Sequence, residues 1–267
     1  MTLRVTLPRF DAAGNVYAVV AAHRAHEHPD ETWARLSCRG GAADGVLIDV
    51  PAEANVTARV RILNPDGSRA ETSGNGMRIF AYWLWREGRI AAGEACTIDT
   101  GARRVACRVA PNGRSVQVAM GTVRVDAARD VDVHDGVAPP LRVTPVDVGN
   151  PHAVVVTDEP VDEATVRHLG PRIETHPAFP NRTNVQFAWR DPLDTGIVHA
   201  RVWERGAGWT ASSGSSACAV SAAFRARDGH ATSVARYALA VTMPGGTLHC
   251  TLEDGEAHLE GPVRDAP

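Results

Sequence analysis

Little in this chain points to nucleic acid, a membrane or a disulfide framework. The formal net charge of −3 over 267 residues leaves no basic footprint for a polyanion. No apolar run approaches the roughly 20 residues that a bilayer span needs. The opening Met1-Thr2-Leu3-Arg4-Val5-Thr6-Leu7-Pro8 is too short and too mixed to be a secretion signal, so a cytoplasmic protein is expected. The cysteines, Cys38, Cys96, Cys107, Cys218 and Cys250, are odd in number and form neither a CxxC pair nor a zinc spacing, which predicts reduced thiols. No metal site is expected. His23, His26 and His28 lack the i, i+4 spacing of a helical metal pair, and Arg24 and Glu27 among them suit a solvated surface. A Gly-x-Ser-x-Gly elbow is also missing, since Ser73 follows Glu71 and Ser213 follows Ala211 at i−2; a serine hydrolase is disfavoured. What remains is a small, roughly neutral ligand.

The hydrophobic fraction, 44%, suffices for one large or two ordinary cores. Segments rich in β-branched residues, most bounded by Gly, Pro, Asn or Asp, predict strands at Val16–Val20, Gly45–Val50, Val56–Leu63, Arg104–Val109 and Ser115–Met120. The same signals recur at Val154–Val156, Asn184–Ala188, Ile197–Trp203, Ala238–Met243 and Thr247–Leu252. Helices are predicted over Pro29–Arg39, Asn75–Glu87, Glu163–Leu169 and Ser215–Arg227, the last stopped by Asp228-Gly229. The Asp-rich stretch Asp126–Asp135 is expected to be a solvated loop or edge. These elements make an α+β layout of mostly antiparallel sheets, with a boundary near Gly121–Val125. The expected division is a 1–121 lobe, joined by the tail 260–267, and a 122–259 lobe.

Two Ser-Gly turns, each opening a helix, stand 140 positions apart: Glu71-Thr72-Ser73-Gly74-Asn75-Gly76 and Ala211-Ser212-Ser213-Gly214-Ser215-Ser216. After the first, Met77, Phe80, Ala81 and Leu84 recur at i, i+3, i+4 and i+7; after the second, Ala217, Val220, Ser221 and Phe224 repeat the spacing. A helix start presents free N–H groups and a positive dipole end, which suits a carboxylate. Either turn alone is an ordinary N-cap. The pair suggests a duplicated scaffold holding a small acid such as an amino acid.

Several segments in order resemble the diaminopimelate epimerase family of amino-acid racemases, which use no pyridoxal phosphate. They are Gly14-Asn15-Val16-Tyr17, Ala43-Asp44-Gly45, Asn64-Pro65-Asp66-Gly67-Ser68, Ser73-Gly74-Asn75-Gly76-Met77-Arg78, Val118-Ala119-Met120-Gly121, Gly149-Asn150-Pro151-His152, Arg182-Thr183-Asn184-Val185 and Glu204-Arg205-Gly206-Ala207-Gly208-Trp209-Thr210. The resemblance implies two pseudo-symmetric lobes, each a mainly antiparallel sheet around a central helix, with the site in the cleft between them. It implies no cofactor, and an amino-acid substrate that exchanges its α-proton between a thiolate on one face and a thiol on the other. Both thiol positions hold serine here, Ser73 and Ser213. A serine hydroxyl titrates far above a helix-start thiol and makes a very poor base without a partner.

By the same resemblance, Asn15, Asn64, Asn150, Asn184, Glu204 and Arg205 contact the substrate's amino group and distal polar end. Gly74, Asn75, Gly214 and Ser215 supply donors to the carboxylate, and His152 and Glu204 accompany the two thiol positions. Without the resemblance, an Asn beside Gly and Pro is a turn residue and Glu204-Arg205 a surface ion pair. Thr72, Ser212 and Ser216 depart from the family's usual turn, and Trp209 places a bulky indole in the second substrate loop, where it is expected to reshape the pocket. Three readings stay open: a racemase of a polar amino acid whose thiols have become serines, by engineering or by nature; a diverged isomerase, dehydratase or cyclase with His152 or Glu204 as base; and a non-catalytic amino-acid-binding protein. A homodimer is the assembly to test.

Overall fold

The structure, a computed structural model, describes residues 7–70, 73–133, 139–230 and 236–266. Met1–Thr6, Glu71 and Thr72 of the first Ser-Gly turn, and Asp135 of the Asp-rich stretch lie outside the described residues. The chain divides into two units, residues 1–119 with 260–267, and residues 120–259.

In the first unit, β1 (Arg9–Ala12) and β2 (Asn15–Val20) form a hairpin, and α1 (Asp30–Ser37) leads to β3 (Gly45–Val50), which pairs parallel with β2. β4 (Ala58–Leu63) returns antiparallel and turns into the short β5 (Arg69–Ala70). The helix α2 (Gly74–Arg86) carries the chain to β6 (Ala95–Asp99), which pairs parallel with β4. β7 (Arg104–Val109) and β8 (Ser115–Thr122) complete the meander, and β8 runs on into the second unit.

The second unit repeats this order. After β9 (Arg124–Val125) and β10 (Arg129–Val131) come β11 (Leu141–Asp147) and β12 (Pro151–Val156), then α3 (Glu163–Glu174) and β13 (Asn184–Arg190), parallel to β12. β14 (Ile197–Glu204) and β15 (Gly208–Thr210) follow, then α4 (Gly214–Arg227) and β16 (Arg236–Met243), parallel to β14. β17 (Gly246–Glu253), β18 (Glu256–Pro262) and β19 (Arg264–Asp265) end the chain, the last pairing with β1. Parallel neighbours need a crossover, and a helix supplies one at each of these four pairs. The expectation of mostly antiparallel sheets therefore holds with four parallel joints, two in each unit.

The duplication is exact in register around the two turns. Val46 pairs with Leu63 and Ile62 with Ala70, as Val185 pairs with Trp203 and Val202 with Thr210. Asn64–Ser73 thus matches Glu204–Ser213 residue for residue. Each unit wraps its strands around one helix: every residue from Asn75 to Leu84 in α2, and from Ser216 to Phe224 in α4, is buried. Helices buried on all sides have no polar stripe to spend. α4 meets that demand with small residues, and its Ser221 returns its hydroxyl to the Ala217 carbonyl at 2.9 Å.

The Asp-rich stretch contains an edge strand, β10, paired with β11, in line with the expected loop or edge. Two other local expectations change. Strands β1, β6, β11 and β18 lie where composition offered no clear signal. Helix α3 continues through Pro171 to Glu174 and does not stop at Leu169. An interior proline costs roughly 3 kcal/mol, but Ile173 beyond it is buried in a cluster with Val166, Val185 and Phe187. Gly170 permits this packing, because a Cβ there would lie 2.6 Å from Trp203 Cγ.

Candidate functional site

In the first unit the site is built where β4 ends. Asn64 donates from Nδ2 to Ser68 Oγ at 2.9 Å, and that hydroxyl donates to Asp66 at 2.6 Å, so a local turn holds the Asn64 amide. The chain then enters α2 with Ser73 extended at φ −149°, ψ 117°. Ser73 Oγ accepts the Gly76 N–H at 3.0 Å, a helix cap. The N–H groups of Gly74 and Asn75 meet no acceptor among the described residues and face outward from the helix start, as the first donors of any helix do. Asn75 is buried and accepts Arg78 Nη2 on Oδ1 at 2.9 Å. Asn15 is half-buried at the start of β2. Beside it, Tyr17 Oη reaches Ser73 Oγ at 3.1 Å.

The second unit caps α4 in the same way, with Ser213 at φ −148°, ψ 124° and its Oγ accepting the Ser216 N–H at 3.4 Å. The Ser215 hydroxyl lies 3.5 Å from it. Ser212 Oγ is buried without a hydrogen-bond partner among the described residues. The strand registers put His152, Asn184 and Glu204 in one row across β12, β13 and β14. Asn184 spends its amide on the backbone, donating to the Pro151 carbonyl at 2.9 Å and accepting the Arg205 N–H at 3.0 Å. Arg205 is exposed and donates from Nη1 to the Asn181 carbonyl at 3.2 Å. The Glu204 carboxylate has no hydrogen-bond partner among the described residues, and burial raises its pKa.

His152 is fully enclosed, with both ring nitrogens occupied. Gln186 Nε2 lies 2.9 Å from Nδ1 and 3.0 Å from Ser216 Oγ, and Asn150 Oδ1 lies 3.0 Å from Nε2. An amide N–H donating to Nδ1 leaves the ring proton on Nε2, where it is donated to Asn150. Burial pushes the His152 pKa down to about 3, and the Arg205 charge pushes it the same way. His152 is therefore a neutral link that orients Asn150, with no lone pair left to take a substrate proton.

A histidine whose folded pKa lies below its ordinary 6.5 gives its full contribution above that value, and loses it as the pH falls towards 3. The slope in that window is about 1.4 kcal/mol per pH unit. Urea unfolding at pH 6.5 and pH 5 should show a fall steeper by about 2 kcal/mol than in His152→Gln. Equal falls would mean that His152 protonates in the folded chain.

Gln186 and Tyr17 stand beside residues expected in the site, and the internal repeat carries a signal for both. Laying Gly14-Asn15-Val16-Tyr17 on Gly149-Asn150-Pro151-His152 places Tyr17 opposite His152, as do the pairings of Tyr17 with Gly45 and of His152 with Asn184. By the same register Leu47 and Gly76 correspond to Gln186 and Ser216. A Cβ on Gly76 would lie 3.2 Å from Leu47 Cδ2, and the polar pair occupies the matching place in the second unit. Trp209 packs on the α3 cluster, with the Arg167 guanidinium 5.7 Å from its ring centre. Among the described residues no three His, Cys, Asp or Glu side chains are grouped to hold a metal ion. No described helix is long and apolar enough to cross a membrane.

A family model described as diaminopimelate epimerase matches residues 144–264. Diaminopimelate epimerase 2 of Nostoc sp. is 33% identical over 263 residues, spanning 92% of this chain and 88% of that protein. Diaminopimelate epimerase of Desulforudis audaxviator is 35% identical over 240 residues, 85% of this chain and 83% of that protein. Among solved structures, a Bacillus anthracis phenazine biosynthesis protein of the PhzF family superposes with a TM-score of 0.77 at 14% identity, covering 98% of this chain and 96% of that one. A hydroxyproline epimerase from Agrobacterium vitis, with bound trans-4-OH-L-proline, does so with a TM-score of 0.69 at 18% identity, covering 98% and 90%. At these identities the structural matches establish the fold.

Proposed function

Since the chain belongs to the diaminopimelate epimerase family, we propose that its substrate is an amino acid with a polar distal group, inverted at Cα with Ser73 and Ser213 at the two acid/base positions. The observation that carries this is the matched pair of helix starts, capped by serines whose backbone angles agree within a few degrees. Their outward N–H groups, at Gly74 and Asn75 and at Gly214 and Ser215, suit an α-carboxylate and favour the carbanionic state that forms next to it. The 267 residues contain no lysine, the combined lysine and arginine count of 28 being arginine throughout, so no side-chain amine is present to anchor pyridoxal phosphate as a Schiff base. Glu204 would accept from an ammonium group and Arg205 would present its donor fork to a distal carboxylate.

Calorimetry against polar amino acids tests this, because backbone donors do not depend on a sulfur. The serine chain should bind at least one such ligand. Arg205→Ala should weaken a ligand with a distal carboxylate about tenfold, and a simple aliphatic amino acid much less. Equal weakening would mean that Arg205 only ties its turn to Asn181.

One observation favours a second function. The unpartnered Glu204 carboxylate, its pKa raised by burial, is a candidate direct base for an elimination or a double-bond migration. Product analysis separates the two: inversion at Cα belongs to the first, and an unsaturated or rearranged product that disappears in Glu204→Gln belongs to the second.

A further inference from the structure

The two units share a backbone but differ in what stands beside the capping serine. Besides the Ser216 N–H that it caps, Ser213 Oγ has the Ser215 hydroxyl at 3.5 Å as its hydrogen-bond neighbour among the described residues. Ser73 has a phenol: Tyr17 is buried on β2, and its Oη lies 3.1 Å from Ser73 Oγ. The ring reaches that place because position 45 is glycine, where a Cβ would lie 2.5 Å from Tyr17 Cε1 and 2.7 Å from the Leu63 carbonyl oxygen. The hydrogen-bond inventory of Ser73 then becomes asymmetric. Its oxygen has two lone pairs and one hydrogen. One lone pair takes the Gly76 N–H at 3.0 Å. If the other takes the Tyr17 O–H, the hydroxyl hydrogen of Ser73 is left to donate outward.

We propose that Tyr17 is a positioning and proton-supplying partner of Ser73, making the first unit a hydroxyl donor arm that a lone serine could not be; this rests on the epimerase function proposed above. The proton balance is simple. The Ser73 O–H bond breaks as a C–H bond forms at the carbanionic Cα, the Tyr17 O–H proton moves to Ser73 Oγ, and the phenolate is reprotonated by water. No oxidant or further reactant enters. The arm works as an acid, so the opposite face still needs a base. In the matching place of the second unit His152 is bound to Gln186 and Asn150, and it offers Ser213 no such relay.

The test therefore supplies the base and interrogates the donor. In Ser213→Cys a thiol stands at the second helix start, and inversion of diaminopimelate and a panel of polar amino acids is followed in heavy water. Adding Tyr17→Phe, which keeps the ring and loses only the hydroxyl, should lower kcat about tenfold or more with little change in KM. Adding it to the Ser73→Cys, Ser213→Cys form should cost far less, because a thiol at position 73 does not need the phenol. Equal losses in the two backgrounds would show a general structural effect of the hydroxyl and overturn the proposal, as would no loss in either. Absence of inversion in every form, the double-cysteine form included, would overturn the epimerase function and this proposal with it.

Discussion

Changing both Ser73 and Ser213 to cysteine is expected to raise Cα hydrogen exchange with solvent by about three orders of magnitude or more. The reason is the base. A cysteine has an ordinary pKa near 8.5, lower at a helix N-terminus, so an appreciable fraction is thiolate near neutral pH. A serine at the same place is almost never ionised. The asymmetry between the units predicts where most of the gain lies: Ser73 already has Tyr17 at 3.1 Å, whereas Ser213 has no titratable neighbour within hydrogen-bond reach among the described residues. Ser213→Cys should recover more inversion than Ser73→Cys, and both together should recover most. Deuterium incorporation at Cα, measured with each hand of the substrate, checks this. Exchange by the serine chain at the rate of the double-cysteine form would refute the assignment of these two positions to acid/base chemistry.

Glu174→Ala is expected to cost about 2 to 4 kcal/mol of stability and to loosen the turn that carries Glu204 and Arg205. The Glu174 carboxylate, 3% exposed, is the hub of that turn. Oε1 accepts the Gly206 N–H at 2.8 Å and an Arg182 guanidinium N–H, and Oε2 accepts the Trp203 indole N–H at 2.7 Å. Removing it strands the indole donor in a packed setting and frees the backbone of a loop that is otherwise tied to β13 by the Arg205 N–H on the Asn184 side chain. Urea unfolding would report the stability change. Calorimetry with a polar amino acid should show weaker binding even under conditions where the variant is fully folded. Unchanged stability would mean that the three donors find water or other acceptors at no cost.

Much of the architecture is legible in residues that speak locally. The β-branched segment Gly45–Val50 is a strand with the boundaries expected of it, as is Arg104–Val109. Asn75–Glu87 and Ser215–Arg227 lie within a residue of α2 and α4, because a Ser-Gly start, a helical apolar period and a Gly stop are all short-range signals. Other features had no local signal. The helical continuation past Leu169-Gly170-Pro171 depends on Trp203, more than thirty residues away, lying against the glycine. The parallel joints depend on which strands a crossover helix brings together, and a strand's own sequence does not name its neighbour.

The site divides along the same line. By itself the sequence determined that two serines cap two matched helices, that no lysine is present, and that a set of Asn, Glu and Arg side chains clusters in recognisable turns, since each of these is written in contiguous residues. Only the tertiary structure decided what those side chains are free to do. It closed both nitrogens of His152 with Gln186 and Asn150, spent the Asn184 amide on Pro151 and Arg205, drew Trp209 onto α3, and set the Tyr17 phenol against Ser73. Each of these joins residues from different strands and helices. A hydrogen bond depends on positions within a few tenths of an ångström, and packing between distant segments sets those positions.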